Sequence, residues 1–209
     1  VTGRFIVFEG PEGGGKTLQV ARLAARLASD GRDVVQTREP GGTKVGNDLR
    51  AVLLGLGDYA ILPETEVLLL AAARAQHVRE VIRPALERGA WVVCDRFVDS
   101  TYAYQGGGSG LDRSLLHAIQ DFATGGLEPD VRVLLDLPVD VGLRRRHADP
   151  ASVNRIDLAS HDYHERVRAA YLDLASDASR NWLVIDAEQS PEGVEQDIWR
   201  QLQQVLAIA

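Results

Sequence analysis

The run Gly10-Pro11-Glu12-Gly13-Gly14-Gly15-Lys16-Thr17 has the spacing of a phosphate-wrapping loop, G-x-x-x-x-G-K-[ST], at every fixed position. Glycines let the backbone turn its N–H groups around phosphate oxygens, and a following helix adds its positive end. Lys16 is placed to reach the outer phosphates as a point charge, and the Thr17 hydroxyl to ligate Mg²⁺. Glu12, inside the loop, either accepts from a sugar hydroxyl or is simply solvated. A second chemical pair is Asp95-Arg96. There Arg96 can grip a phosphate bidentately, and Asp95 can orient it or hold a magnesium-bound water.

Both sets need strands and helices around them, and the pattern supplies these. Arg4-Phe5-Ile6-Val7-Phe8-Glu9 reads as a buried strand before the loop, and Val20, Leu23, Ala24 and Leu27 as one face of a helix after it. Further strands are predicted at Asp33–Thr37, Trp91–Asp95, Val131–Asp136 and Trp182–Asp186. Helical patterns alternate with them, including a long one from Glu64 to about Arg88 that Pro84 should kink or break. This alternation implies a parallel α/β sheet covered on both faces. Asp95-Arg96 then falls at the C-terminal end of a strand, where open α/β sheets bind ligands. Gly106-Gly107-Gly108 must be flexible or specially shaped.

With 209 residues, 45% hydrophobic and 25% charged, the chain suits one domain with a sizeable core, and nothing in it looks like a linker. A net charge of −7 argues against a nucleic-acid-coating surface. Cys94 excludes an internal disulfide and reads as a buried small hydrophobe. The five histidines lack metal-ligand spacing, and solvated or packed roles suit them. No signal peptide or membrane-spanning apolar run is found, so a cytoplasmic enzyme is expected.

The loop alone says only that a nucleotide binds. No Asn-Lys-x-Asp stretch is present, which weakens a GTPase reading. A kinase needs a second concave site with its own phosphate-binding arginines, and Arg96 offers one. A nucleotide-dependent switch that binds a protein partner stays open at this point, though it leaves Asp95-Arg96 and Arg74 without a task.

Over nearly its whole length the chain resembles the bacterial thymidylate kinases. The resemblance rests on Phe8 to Thr17, Thr37-Arg38-Glu39-Pro40-Gly41-Gly42-Thr43, Ala72 to His77, Asp95-Arg96-Phe97, Ser100 to Gly106 and Tyr163 to Leu172. It implies a P-loop fold of about five parallel strands flanked by helices, like other nucleoside-monophosphate kinases, as a single domain with a lid over about 144–157. It also implies transfer of the γ-phosphoryl group of ATP to dTMP with Mg²⁺, and a homodimer. Another monophosphate kinase, for UMP or CMP, is the alternative within this class.

By position, the resemblance implies that Gly10 to Thr17 bind ATP, that Arg96 holds the acceptor phosphate and that Glu12 meets the sugar 3′-hydroxyl. Arg74 meets the thymine carbonyl and Thr101 the ring N–H. Tyr104 packs at the sugar's 2′ side, Glu39 and Pro40 shape the wall, and Arg50 and Gln105 are further candidates. With Gly at position 13, the lid is expected to supply the catalytic arginine: Arg155 in Asn154-Arg155-Ile156-Asp157 matches best, with Arg146 in reserve. Two departures stand out. Leu70 replaces the family's usual Phe, losing an aromatic contribution of about 1 kcal/mol, and the lid carries Asp149-Pro150-Ala151-Ser152 where arginines usually repeat. Arg144, Arg145 and Arg146 cannot share one helix face, so at least one is solvated.

Overall fold

A computed structural model describes residues 3–56, 59–148 and 153–207. Its centre is β1 (Phe5–Glu9), whose five residues are all buried because parallel neighbours and helices cover both faces. The other strands are β2 (Val34–Arg38), β3 (Trp91–Asp95), β4 (Val131–Asp136) and β5 (Trp182–Asp186), all parallel in the order β2-β3-β1-β4-β5. All five lie where the apolar runs predicted them.

Alternation along each strand divides the core. Ile6, Phe8, Val93, Val133 and Leu135 face α1 (Lys16–Ser29) and α9 (Pro191–Leu206). Phe5, Val7, Val92 and Cys94 face the other layer. That layer includes α3 (Pro63–His77), which packs on α2 (Lys44–Leu54) and α6 (Arg113–Thr124). Below the C-terminal strand ends, Ala103, Tyr104, Leu134, Val167 and Tyr171 seat α8 (His161–Ala175).

The predicted break at Pro84 takes a specific form. The helix widens into a π-helical turn over Val78–Ile82 and restarts as α4 (Arg83–Glu87), with Pro84 in the first turn where no N–H is needed. A second wide turn, Tyr102–Gly108, continues from α5 (Val98–Thr101) and absorbs the three glycines. A Cβ on Gly107 would lie 2.4 Å from that of Ala170, so these glycines are shaped by close packing on α8.

Consecutive crossovers run from β1 outward to β2 and from β3 across to β4. The loops after β1 and β3 therefore diverge, opening a crevice at the strands' C-terminal ends. Phe8 is in register with Asp95 across it. The segment expected to serve as a lid starts within α7 (Val139–His147); Asp149 to Ser152, singled out in the sequence, lie outside the described residues.

Candidate active site

The crevice is a cleft of about 580 Å³ lined by the phosphate loop, the ends of β2 and β3, α3, α5 and the lid. Seven basic and five acidic side chains line it, a positive excess in a protein that is acidic as a whole. Such a cavity concentrates polyanions.

Its floor is the loop 10–15. Gly15, with φ of +81°, caps α1 without any side-chain bond, so the helix presents its first N–H groups to the cleft. Gly13, at φ of +73°, approaches α7 so closely that a Cβ would lie 2.2 Å from the Gly142 carbonyl oxygen. The loop and the lid helix are thus in backbone contact. Lys16 is buried, its Nζ donating to the carbonyls of Gly10 (3.0 Å) and Pro11 (2.7 Å). Burial and the neighbouring Arg96 pull its pKa down to about 8. Thr17 Oγ1 donates to Asp95 Oδ2 at 2.6 Å, bringing two oxygen ligands of the sort Mg²⁺ prefers together beside Lys16. Among the described residues no group of three His, Cys, Asp or Glu could hold a metal ion, so a Mg²⁺ ion beside Thr17 and Asp95 would need further ligands from phosphate and water.

Opposite the floor stands Arg96, whose backbone φ of +70° turns the chain sharply out of β3. Its Nη1 donates to Ser100 Oγ (3.1 Å) and Tyr171 Oη (3.0 Å), and its Nη2 to Tyr104 Oη (2.9 Å) and Glu12 Oε1 (3.3 Å). Burial pushes both tyrosine pKa values well up, so they remain neutral phenols. Tyr104 also donates to Glu12 Oε1 at 2.5 Å. Burial alone would raise Glu12, but His164, Arg96, Lys16 and Tyr104 outweigh it and bring its pKa to about 2. Glu12 is therefore an ionised cleft residue, not a solvated one.

Glu9 organises this turn from behind. Buried at the end of β1, it accepts from the Phe97 and Ser100 N–H groups, Ser100 Oγ and Tyr171 Oη. Burial and the nearby Asp99 raise its pKa. The sequence gives Glu9 and Tyr171 no visible role, because their partners lie more than 70 residues away.

The far wall is equally built. Arg74, 2% exposed, donates through Nε to Glu39 (2.7 Å), through Nη1 to Thr101 (3.1 Å) and Gln120, and through Nη2 to the Phe97 carbonyl (2.9 Å). Four of its five N–H groups are thereby used, leaving one for the cleft. His77 Nδ1 holds the other Glu39 oxygen at 3.0 Å. Leu70, half-buried, contributes the apolar surface, and Pro40, Thr101 and Gln105 complete this side. Arg50 donates to the Pro40 carbonyl (2.9 Å), and Arg38, which sequence reading passed over, ends β2 beside it. Burial, Arg38, Arg96 and Arg146 all push the Arg50 pKa down, a sign of concentrated positive charge. Cys94 is buried with its thiol pKa raised by that burial.

The residues expected at the site line the cleft except Gly10, Pro11 and Gly14, which belong to the loop beneath it. Apart from all of these stands Arg155. Its Nε donates to the Leu53 carbonyl (3.2 Å) and its Nη2 pairs with Glu66, so it faces the α2–α3 wall and does not line the cleft. Arg146 does line the cleft, with Nε 3.0 Å from both Asp157 oxygens. Arg145, also in the lining, donates to the carbonyls of Ala187 and Glu188, and Arg144 is exposed.

The thymidylate kinase family model matches residues 8–198. The chain belongs to the thymidylate kinase family. It is 52% identical over 202 residues to the thymidylate kinase of Thermomicrobium roseum, covering 97% of this chain and 95% of that protein. To the thymidylate kinase of Pseudomonas putida strain GB-1 it is 49% identical, covering 95% and 94%. To that of Nostoc sp. strain PCC 7120 it is 46% identical, covering 99% and 96%. Among the described residues no helix is long and apolar enough to cross a membrane.

Proposed function

We infer that this protein transfers the γ-phosphoryl group of ATP to dTMP, giving dTDP and ADP. The observation that carries the reading is the single cleft in which the phosphate loop with Lys16 faces Arg96, with Arg38 and Arg50 nearby. Neither Arg38 nor Arg50 has an ion pair among the described residues, so both are available to a phosphate.

The chemistry follows from gathering two polyanions that repel each other. An acceptor phosphate oxygen, already anionic, attacks Pγ in line; the bond from Pγ to the β–γ bridging oxygen breaks, and ADP leaves with the electron pair. No general base is needed. Lys16 and the N–H groups of the loop hold the donor's phosphates, and Arg96 positions the acceptor. Thr17 directly, and Asp95 through water, are the residues that would hold Mg²⁺, which neutralises phosphate charge when bound. Of the lid arginines, Arg146 takes the catalytic role, because it lines the cleft and Arg155 does not.

At the acceptor's base end, the one spare Arg74 N–H and the Thr101 hydroxyl are the polar groups for a thymine edge, and Leu70 supplies apolar cover. Glu39 and Pro40 form the wall, and Tyr104 and Gln105 line the sugar side. A homodimer is part of the same reading. Leu115 and Phe122, seven residues apart on one face of α6, are 53% and 82% exposed, an apolar face suited to a second copy. Sedimentation velocity giving only monomer would remove it.

An ADP-release assay with dTMP, dUMP, UMP and dCMP as acceptors tests the function. The expected result is ADP release dependent on acceptor and fastest with dTMP. ADP release indifferent to the acceptor overturns it.

A further inference from the structure

Arg96 has no idle N–H at either Nη: its four Nη hydrogens go to Ser100, Tyr171, Tyr104 and Glu12. To grip a phosphate with its fork, it must release a partner. The longest of these bonds is the one to Glu12, at 3.3 Å, and it reaches the one partner that an anionic phosphate replaces like for like. Yet that release leaves Glu12 ionised and 9% exposed, with one cation fewer, close to where two phosphate groups meet. A second partner has to take over.

The structure holds one ready. On α8, the buried face His164, Val167, Tyr171 and Leu174 follows helical spacing, and Tyr171 already reaches Arg96 and Glu9 from it. Two turns earlier, His164 is 1% exposed, with Nδ1 standing 3.4 Å from Glu12 Oε2. Neither Glu12 Oε2 nor His164 Nε2 makes a hydrogen bond among the described residues. A buried carboxylate oxygen without a donor is costly unless a second arrangement supplies one, and His164 Nδ1 is the nearby ring nitrogen that can. The distance is just too long for a good bond and short enough to become one through a small rotation of the carboxylate.

We propose that His164 is a positioning residue for acceptor binding: when the acceptor's phosphate takes Arg96 Nη2, the Glu12 carboxylate turns to the Nδ1–H of His164. The partner exchange lets one arginine serve the resting cleft and the loaded one. This rests on the reading of Arg96 as the acceptor-phosphate residue.

Steady-state kinetics of the full chain test it, using His164→Phe, His164→Asn and each of these combined with Glu12→Gln, all checked for a cooperative melt. Loss of the alternative donor should raise the KM for dTMP about tenfold, the worth of one charged hydrogen bond, with kcat and the KM for ATP little changed. His164→Asn, which keeps an N–H near the Nδ1 position, should recover most of that loss. With Glu12→Gln present, the amide carries no charge to be matched, and His164→Phe should change the KM for dTMP by less than about twofold. The inference is overturned by a wild-type KM in His164→Phe, by a rise that persists in the Glu12→Gln background, by equal defects for Phe and Asn, or by parallel loss of kcat and ATP binding. Failure of the substrate reading shows differently, as absence of dTMP-dependent ADP release in the wild-type protein. The comparison then moves to whichever monophosphate is accepted, and acceptance of none removes both.

Discussion

Lys16 shows how burial and function meet in one side chain. Its carbonyl partners satisfy the ammonium group but do not offset the cost of burying it next to Arg96, hence a pKa of about 8. A cation is required to meet ATP, so as pH rises through about 8 the free enzyme loses the charge that captures the donor. The expected outcome is a descending alkaline limb in kcat/KM for ATP near that value. In kcat the limb moves to higher pH, because bound phosphates favour the charged lysine. Superimposed profiles for the two parameters would remove Lys16 as the titrating group. Glu12 is at the opposite extreme: with a pKa of about 2 it stays ionised throughout the working range, which is why it needs a partner whenever Arg96 is otherwise engaged.

At the scale of elements, the lid segment is held at two points with different consequences. Arg146 on α7 reaches forward to Asp157, keeping the helix and the turn around Asp157 together at the cleft. Arg155 fastens the same segment to the end of α2 and to Glu66 on α3. Arg146→Ala should therefore lower kcat by roughly a thousandfold, the lower end of the range for an arginine that stabilises a transferring phosphoryl group. Arg155→Ala should act mainly on lid placement, with kcat changed by less than about tenfold. The reverse order of effects would return the catalytic role to Arg155. Single-turnover measurements with saturating dTMP separate the two cases, since they report the chemical step.

Across the whole molecule, the site depends on α5 being clamped from both sides. Glu9 at the end of β1 holds its N-terminus, and Asp99, fully buried, ties it to Arg132 of β4 (2.9 Å) and to Arg180 before β5 (3.0 Å). These bonds link β1, β4 and the approach to β5 to the turn that bears Arg96. Asp99→Ala leaves Arg132, 3% exposed, without its buried carboxylate, and should cost about 3 kcal/mol, the lower end for breaking a buried ion pair, since Glu128 still contacts Arg132. In a chain of this length that corresponds to a fall in Tm of roughly 6–12 °C. Urea unfolding checks it; a variant within about 0.5 kcal/mol of wild type would show the clamp to be dispensable.

What the residue order determined unaided was everything written in local periodicity or in a contiguous motif. The five strands, the helices between them and the glycine loop with Lys16 and Thr17 follow from apolar spacing and backbone freedom, because those forces act within a few residues. The motif stretches also led to Arg96, Arg74, Thr101 and Tyr104. Only tertiary structure decided how these side chains are employed. Glu9, Tyr171 and His164 show no chemistry in their own segments; they acquire it because strand order places β1, β3 and α8 around one crevice. Arg155 makes the same point in reverse. It fits the lid motif by position, yet a buried carboxylate on α3, 89 residues away in the chain, claims its guanidinium. A charged group goes to whichever partner the fold brings within reach, and that distance is a property of the packed chain, not of the neighbouring residues.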